Sequence, residues 1–177
     1  MLYFKTVIAA AITMASLASF AFAENIKAPD FTLLDVNGKK VTLSEARGKV
    51  VFIDFWASWC PPCRASIPAV EKLYDKYKGK DVEFYGINLE GNTPAIRKFI
   101  EKNSMKYTVL FDDRKASAYY EVRGIPSFFI INKAGEVHSN YAGYDPEYVN
   151  HWDEAIETLL KEAAPKGSKT PSKKLSK

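Results

Sequence analysis

Cysteine and histidine are scarce in this chain: two of each in 177 residues. The cysteines, Cys60 and Cys63, lie three apart. A small secreted domain stapled by disulfides would carry more of them, widely spaced. Closing so short a loop adds little stability, because the entropy removed from the unfolded chain grows with loop length. The histidines, His138 and His151, are far from the pair in sequence and lack ligand spacing, so a four-ligand zinc site is not written here. Clustered positive charge is missing from the body of the chain. The formal net charge is +4, yet Lys5 and the five lysines after residue 165 supply more than all of it. Glu24 to Ala164 holds 19 bases against 21 acids. Nothing in that span reads as a nucleic-acid surface, which needs grouped cations to displace counterions. Internal repeats and compositional bias are absent too, which leaves an ordinary globular domain of single-domain size.

The one long apolar stretch is at the start. Lys5 forms a short positive region, Thr6 to Phe20 is mostly apolar and alanine-rich, and Ala21-Phe22-Ala23 fits a small-x-small cleavage site. Residues 1–23 therefore read as an export signal, with Glu24 opening the mature chain. An uncleaved anchor is the alternative; Thr13, Ser16, Ser19 and the many alanines make a weak permanent span. No cysteine follows the run, so it is not a lipoprotein signal. At the other end, Pro165 to Lys177 is rich in Lys, Ser and Pro, lacks apolar periodicity, and reads as a basic disordered tail.

Between them, residues 24–164 alternate strands and helices. Phe31 to Leu34 and Val41 to Leu43 form an expected hairpin around Asn37-Gly38. Val50 to Trp56 is a near-continuous apolar run, the mark of a strand buried on both faces. A helix is expected from the cysteines to about Tyr77, then a strand over Val82 to Leu89. Thr93 to Asn103 suits a helix with Ile96, Phe99 and Ile100 at helical spacing. A short strand over Thr108 to Phe111 and a short helix over Lys115 to Tyr120 follow. Ser127 to Ile131 and Glu136 to Ala142 pair around Ala134-Gly135. Pro146 to Ala163 closes the domain as a helix with Val149, Trp152, Ile156 and Leu159 or Leu160 inward. This order predicts an α/β fold with a mixed sheet flanked by helices. Sites in such sheets form beyond the carboxyl ends of parallel strands. The cysteines lie just past the end of Val50 to Trp56.

A spacing of three in the first turn of a helix puts Cys60 and Cys63 on one face. Free N–H groups and partial positive charge at a helix N-terminus favour a thiolate. Cys60 is then the nucleophile, and Cys63 the resolving thiol that attacks the mixed disulfide and frees the partner. Prolines at a helix start are tolerated, since their missing N–H groups would lack intrahelical partners. Half a zinc site, a two-cysteine copper carrier and an inert buried pair are the competing readings. Asp54 stands out in an otherwise apolar strand. A buried carboxylate is costly and generally has a task; the plainer reading is one satisfied by lysine or backbone donors. Trp56 and Trp59 are expected to shape the apolar surround of the pair. Arg64 either favours the thiolate or is a solvated helix residue. Glu90 is expected to be a strand-end surface residue, and Tyr119, Tyr120, Phe128 and Phe129 core or edge packing residues.

Ile53 to Cys63, IDFWASWCPPC, closely resembles the active-site stretch of the thioredoxin superfamily. Arg123 to Ser127, RGIPS, is similar to the segment that carries the family's cis-proline, and Pro68 matches the proline that kinks its active-site helix. The resemblance spans roughly Ala28 to Ala163. The extra helix and strand over Thr93 to Phe111, with an N-terminal hairpin, make it more similar to the exported TlpA/ResA-like branch. It implies a thioredoxin-like fold and thiol–disulfide oxidoreductase activity without metal or organic cofactor. It implies that Pro126 presents a cis peptide across from Cys60, and that the backbone of Ile125 pairs with a substrate chain, with Trp59 and Pro61 beside it. It aligns Asp54 with a buried aspartate that helps take the proton from the resolving cysteine. Relatives often carry a glutamate three residues past the second cysteine; here Ser66 stands there. The opening APDFTLLDVNGKKVTL is shared in style by that branch and by peroxiredoxins. Those place Thr or Ser three residues before the peroxidatic cysteine and Pro four before that. Ala57 and Ile53 hold these positions, so peroxidase is rejected as the main activity.

The partners implied are protein thiols and disulfides in the periplasm. Electrons would come from a membrane donor of DsbD or CcdA type, with apocytochrome c cysteines or copper-site assembly proteins as substrates and a monomer as the working unit. Both residues between the cysteines are prolines, which offer Cys60 no N–H. The expected direction is reduction. An oxidant that inserts disulfides, or a Cu(I) carrier, are the rivals.

Overall fold

The computed structural model describes residues 26–164. The expected export signal and basic tail lie outside the described residues. Val50–Trp56 (β3) is a strand buried along its whole length. It pairs in parallel with Val82–Asn88 (β4), which pairs in parallel with Thr108–Phe111 (β5). On its other side β3 pairs antiparallel with Ser127–Ile131 (β6), and β6 with Val137–Ala142 (β7). Thr32–Asp35 (β1) and Lys40–Thr42 (β2) form the hairpin at the far edge, against β5. Among the described residues, seven strands run in the order β2-β1-β5-β4-β3-β6-β7. The helices are Pro61–Tyr77 (α1), Pro94–Lys102 (α2), Lys115–Tyr119 (α3) and Tyr148–Lys161 (α4). The inserted unit is α2 with β5, and it puts β5 between β4 and the hairpin. Among the described residues, no helix is long and apolar enough to cross a membrane.

Side chains alternate across a strand, and β3 shows it clearly. Val50, Phe52 and Trp56 pack into one apolar layer with Ile67, Val70 and Leu73 of α1, Ile96 of α2, and Trp152 and Ile156 of α4. Val51, Ile53 and Phe55 pack into the opposite layer with Leu33, Leu43, Ala116 and Tyr120. Asp54 shares the first face, between Phe52 and Trp56.

The expected strand over Val41 to Leu43 stops one residue early. Leu43–Ala46 is a 3-10 helix instead, with Leu43 and Ala46 buried. The cause is Asp30, whose Oδ1 accepts the N–H of Ser44 at 2.9 Å and that of Phe31 at 3.0 Å. A side-chain acceptor supplied from before β1 turns the chain inward.

Two registers place the site. Phe55 pairs with Ser127 in the antiparallel β3–β6 ladder, so the residues just before β6 lie beside the carboxyl end of β3. Trp56 pairs with Asn88 in the parallel β3–β4 ladder, so the residues after β4 lie beside those after β3.

Candidate active site

Cys60 is the N-cap of α1, and the chain enters the helix through Pro61 and Pro62. Cys60 and Cys63 form a disulfide with their Cα atoms 5.3 Å apart. The N–H of Cys63 donates to Cys60 Sγ at 3.2 Å. Since Pro61 and Pro62 have no N–H, Cys63 supplies the one backbone donor on that sulfur among the described residues. The pair is recessed, with Cys60 3% exposed and Cys63 fully buried. Beside it Trp59 is 65% exposed, and Pro61, Pro62 and Arg64 are exposed on the first turn. Trp56 is buried in the same apolar layer as both cysteines and stacks on Phe99 of α2 at 5.5 Å.

The Ile125–Pro126 peptide is cis. The Ile125 carbonyl oxygen lies 3.6 Å from Cys60 Sγ. Among the described residues, no backbone hydrogen bond engages Ile125, which leaves its main chain open to another strand. Pro126 is buried and Ile125 half-buried.

Asp54 is fully buried, and neither carboxylate oxygen has a hydrogen-bond partner among the described residues. The plainer reading, a carboxylate satisfied by lysine or backbone donors, is not what the structure has. Burial pushes the carboxyl up to about 8, because the charged form has lost its water and gained nothing in return. It faces the same layer as Cys63. Ser66, where relatives often have glutamate, is buried and donates its hydroxyl to the Cys63 carbonyl at 2.8 Å. It has no ionisable group to share a proton task.

Glu90 corrects the expectation of a strand-end surface residue. It is half-buried, and its carboxylate accepts both the Ser58 N–H and the Ser58 hydroxyl, the latter at 2.9 Å. Asn88, fully buried, accepts the Glu90 N–H at 2.8 Å. The loop from Trp56 to Cys60 is thereby tied to the end of β4. Only the register of two strands brings Glu90 to Ser58, 32 residues away, so no local pattern marks it. Of the two neighbouring tyrosines, Tyr120 packs in the core and Tyr119 lies at the surface, 63% exposed. Among the described residues, no three His, Cys, Asp or Glu side chains converge in a way that could hold a metal ion.

The model of the AhpC/TSA family matches residues 25–140. The chain is 34% identical over 140 residues to the thiol-disulfide oxidoreductase ResA of Bacillus thuringiensis strain Al Hakam, covering 78% of each chain. It is 33% identical over 132 residues to ResA of Bacillus subtilis strain 168, covering 74% of each. Its fold is similar to that of a Chlorobium tepidum chain described as a thiol:disulfide interchange protein DsbE. The TM-score is 0.71 at 36% identity, over 77% of this chain and 96% of that one. The chain thus belongs to the AhpC/TSA family, and within it to the thioredoxin-like thiol–disulfide oxidoreductases.

Proposed function

We propose that the protein is an exported reductase of protein disulfides. Cys60 attacks a substrate disulfide, and Cys63 then attacks the sulfur of Cys60. The Cys60–substrate bond breaks, the Cys60–Cys63 bond forms, and the substrate leaves with both electrons as thiols. Asp54 takes the proton from Cys63 as that thiol becomes nucleophilic. Pro126 and the open backbone of Ile125 hold the substrate chain, with exposed Trp59 and Pro61 as its apolar contacts. The spent disulfide is reduced again by a membrane dithiol donor of the DsbD or CcdA type. Substrates are cysteine pairs in exported proteins, such as apocytochrome c or copper-site assembly proteins. The unit that does this is residues 24–164, released as a monomer into the periplasm by cleavage after Ala23, with 165–177 as a basic tail.

The observation that carries the direction is the sparse donor set on Cys60. A strong oxidant stabilises its reduced form, chiefly through a very acidic leading thiol. Here two prolines leave the Cys63 N–H as the backbone donor on the sulfur, and Arg64 is exposed on the helix surface. The thiolate is stabilised moderately. Equilibration with glutathione buffers should give a potential nearer the value of about −270 mV typical of thioredoxin than about −120 mV. A midpoint near the upper value, with the pair oxidised in cells, would assign disulfide formation instead.

A further inference from the structure

The polar atoms left over around Asp54 point to a second residue in its proton chemistry. In the β3–β4 register the neighbour of Asp54 is Gly86. A Cβ at Gly86 would come within 2.6 Å of Tyr107 Cε2 and 3.1 Å of Trp56 Nε1. The position is therefore kept free of a side chain by what lies over it. Cε2 is bonded to the carbon that bears the phenol oxygen. The hydroxyl-bearing end of Tyr107 thus sits over Gly86, one strand spacing of about 4.8 Å from the Asp54 backbone. Tyr107 is 3% exposed. Neither its hydroxyl nor the Asp54 carboxylate has a partner among the described residues. Burial first, and then the nearby Asp54 carboxylate, push the Tyr107 phenol well up, so it stays a neutral donor throughout the working range.

The other groups around this pair are few. From α1 come Cys63, in the same apolar layer, and Glu71, which accepts the Lys106 N–H at 2.7 Å near the backbone end of Tyr107. From β4 come Gly86 and Asn88, from β6 Phe128, from α2 Ile96 and Phe99, and from α4 Trp152, none of them charged.

We propose that Tyr107 is a positioning residue for the resolving step: its phenol, which makes no such bond in this structure, turns to donate a hydrogen bond once the Asp54 carboxyl ionises, and so sets how readily that carboxylate forms. A donor favours the charged form of a buried acid. Asp54 must be ionised to accept the Cys63 proton. When it does, the carboxylate becomes the carboxylic acid, Cys63 becomes the thiolate, and the thiolate displaces the substrate thiolate from Cys60. The substrate thiolate is protonated from water. Tyr107 itself gains and loses no proton. It comes from the turn before β5, so the inserted helix-strand unit contributes to the chemistry of the pair. This inference rests on Asp54 acting as the proton acceptor.

The test is stopped-flow reaction of the reduced protein with an aromatic disulfide that releases a coloured thiolate, from pH 5 to 10. The first equivalent reports attack by Cys60 and the second reports resolution by Cys63. Tyr107→Phe should move the midpoint of the second phase up by about one pH unit. Below the midpoint that phase should slow about tenfold, with its plateau and the first phase unchanged. An unmoved midpoint, or an equal loss at every pH, would overturn the role of Tyr107. Asp54→Asn separates the two claims: if it leaves the second phase unchanged, the acceptor reading fails and Tyr107 with it. If it slows that phase while Tyr107→Phe shifts nothing, Tyr107 alone is refuted. Should Tyr107→Phe not fold, tyrosine ring-carbon NMR of the reduced wild type decides. The Tyr107 resonance should titrate with the midpoint of the second phase, and a flat resonance would refute the contact.

Discussion

The seven residues of β3 divide by alternation between two faces that do different work. One face presents Val51, Ile53 and Phe55 to a layer in which Phe55, Tyr120 and Phe129 interlock edge to face. Among the described buried polar atoms there, Tyr120 hydroxyl is the one on these packing rings without a partner. The other face presents Asp54 between Phe52 and Trp56. Around it the Asp54 carboxylate, the Trp56 and Trp152 indoles and the Tyr107 hydroxyl all lack partners among the described residues. Native cores satisfy nearly all their buried polar atoms, and each exception calls for a reason. The atoms without partners concentrate on the face that also holds Cys63, which supports the proposal that this half of the core is organised for proton and sulfur chemistry at some cost in stability. The opposite half is organised for packing.

The sharpest way to break this contrast is to change one residue on each face and follow stability against pH. Burial raises the Asp54 carboxyl from 3.8 to about 8. Between those values the folded chain holds a proton that the unfolded chain has released. Stability therefore falls as pH rises through that window, on the order of 5 kcal/mol for a shift of this size. Asp54→Asn has no proton to hold, so denaturant unfolding of the oxidised protein at pH 4, 6 and 8 should lose this slope. The variant should be the more stable form at pH 8. A slope identical to wild type would show that Asp54 is not the buried acid described. Ile53→Ala, one position away, is the matching change on the packing face. Ile53 is fully buried, and truncation there should cost about 3 kcal/mol at every pH. The pH slope and the pH profile of thiol exchange should stay as in wild type. A change in that profile would mean that the two faces are coupled.

Much of this architecture was legible in the sequence. The run Val50 to Trp56 has no charge except Asp54, so a strand buried on both faces was the direct reading. Paired prolines between cysteines marked the helix start, and turn residues at Asn37-Gly38 and Ala134-Gly135 marked both hairpins. What was not legible depends on long-range register. Glu90 meets Ser58 because Trp56 pairs with Asn88. Tyr107 covers Gly86 because the inserted strand lies against β4. In sequence alone, Glu90 is an acid after a strand and Tyr107 an aromatic before one. The 3-10 turn at Leu43 was hidden for a similar reason, since its acceptor, Asp30, lies 14 residues from Ser44. Glycine at 86 was itself a signal, for a strand interior disfavours glycine unless another group approaches closely.

Mixed-disulfide trapping separates the roles of the two sulfurs. Cys63→Ala and Cys60→Ala proteins would each be mixed with a peptide disulfide, and the adducts mapped by mass spectrometry. The geometry, with Cys60 at the N-cap beside the open Ile125 backbone and Cys63 fully buried, predicts a stable adduct on Cys60 in the Cys63→Ala protein. The Cys60→Ala protein should form almost none. An adduct that accumulates on Cys63 in the Cys60→Ala protein, with Cys60 left unreacted in the other, would contradict the assignment of nucleophile and resolving thiol.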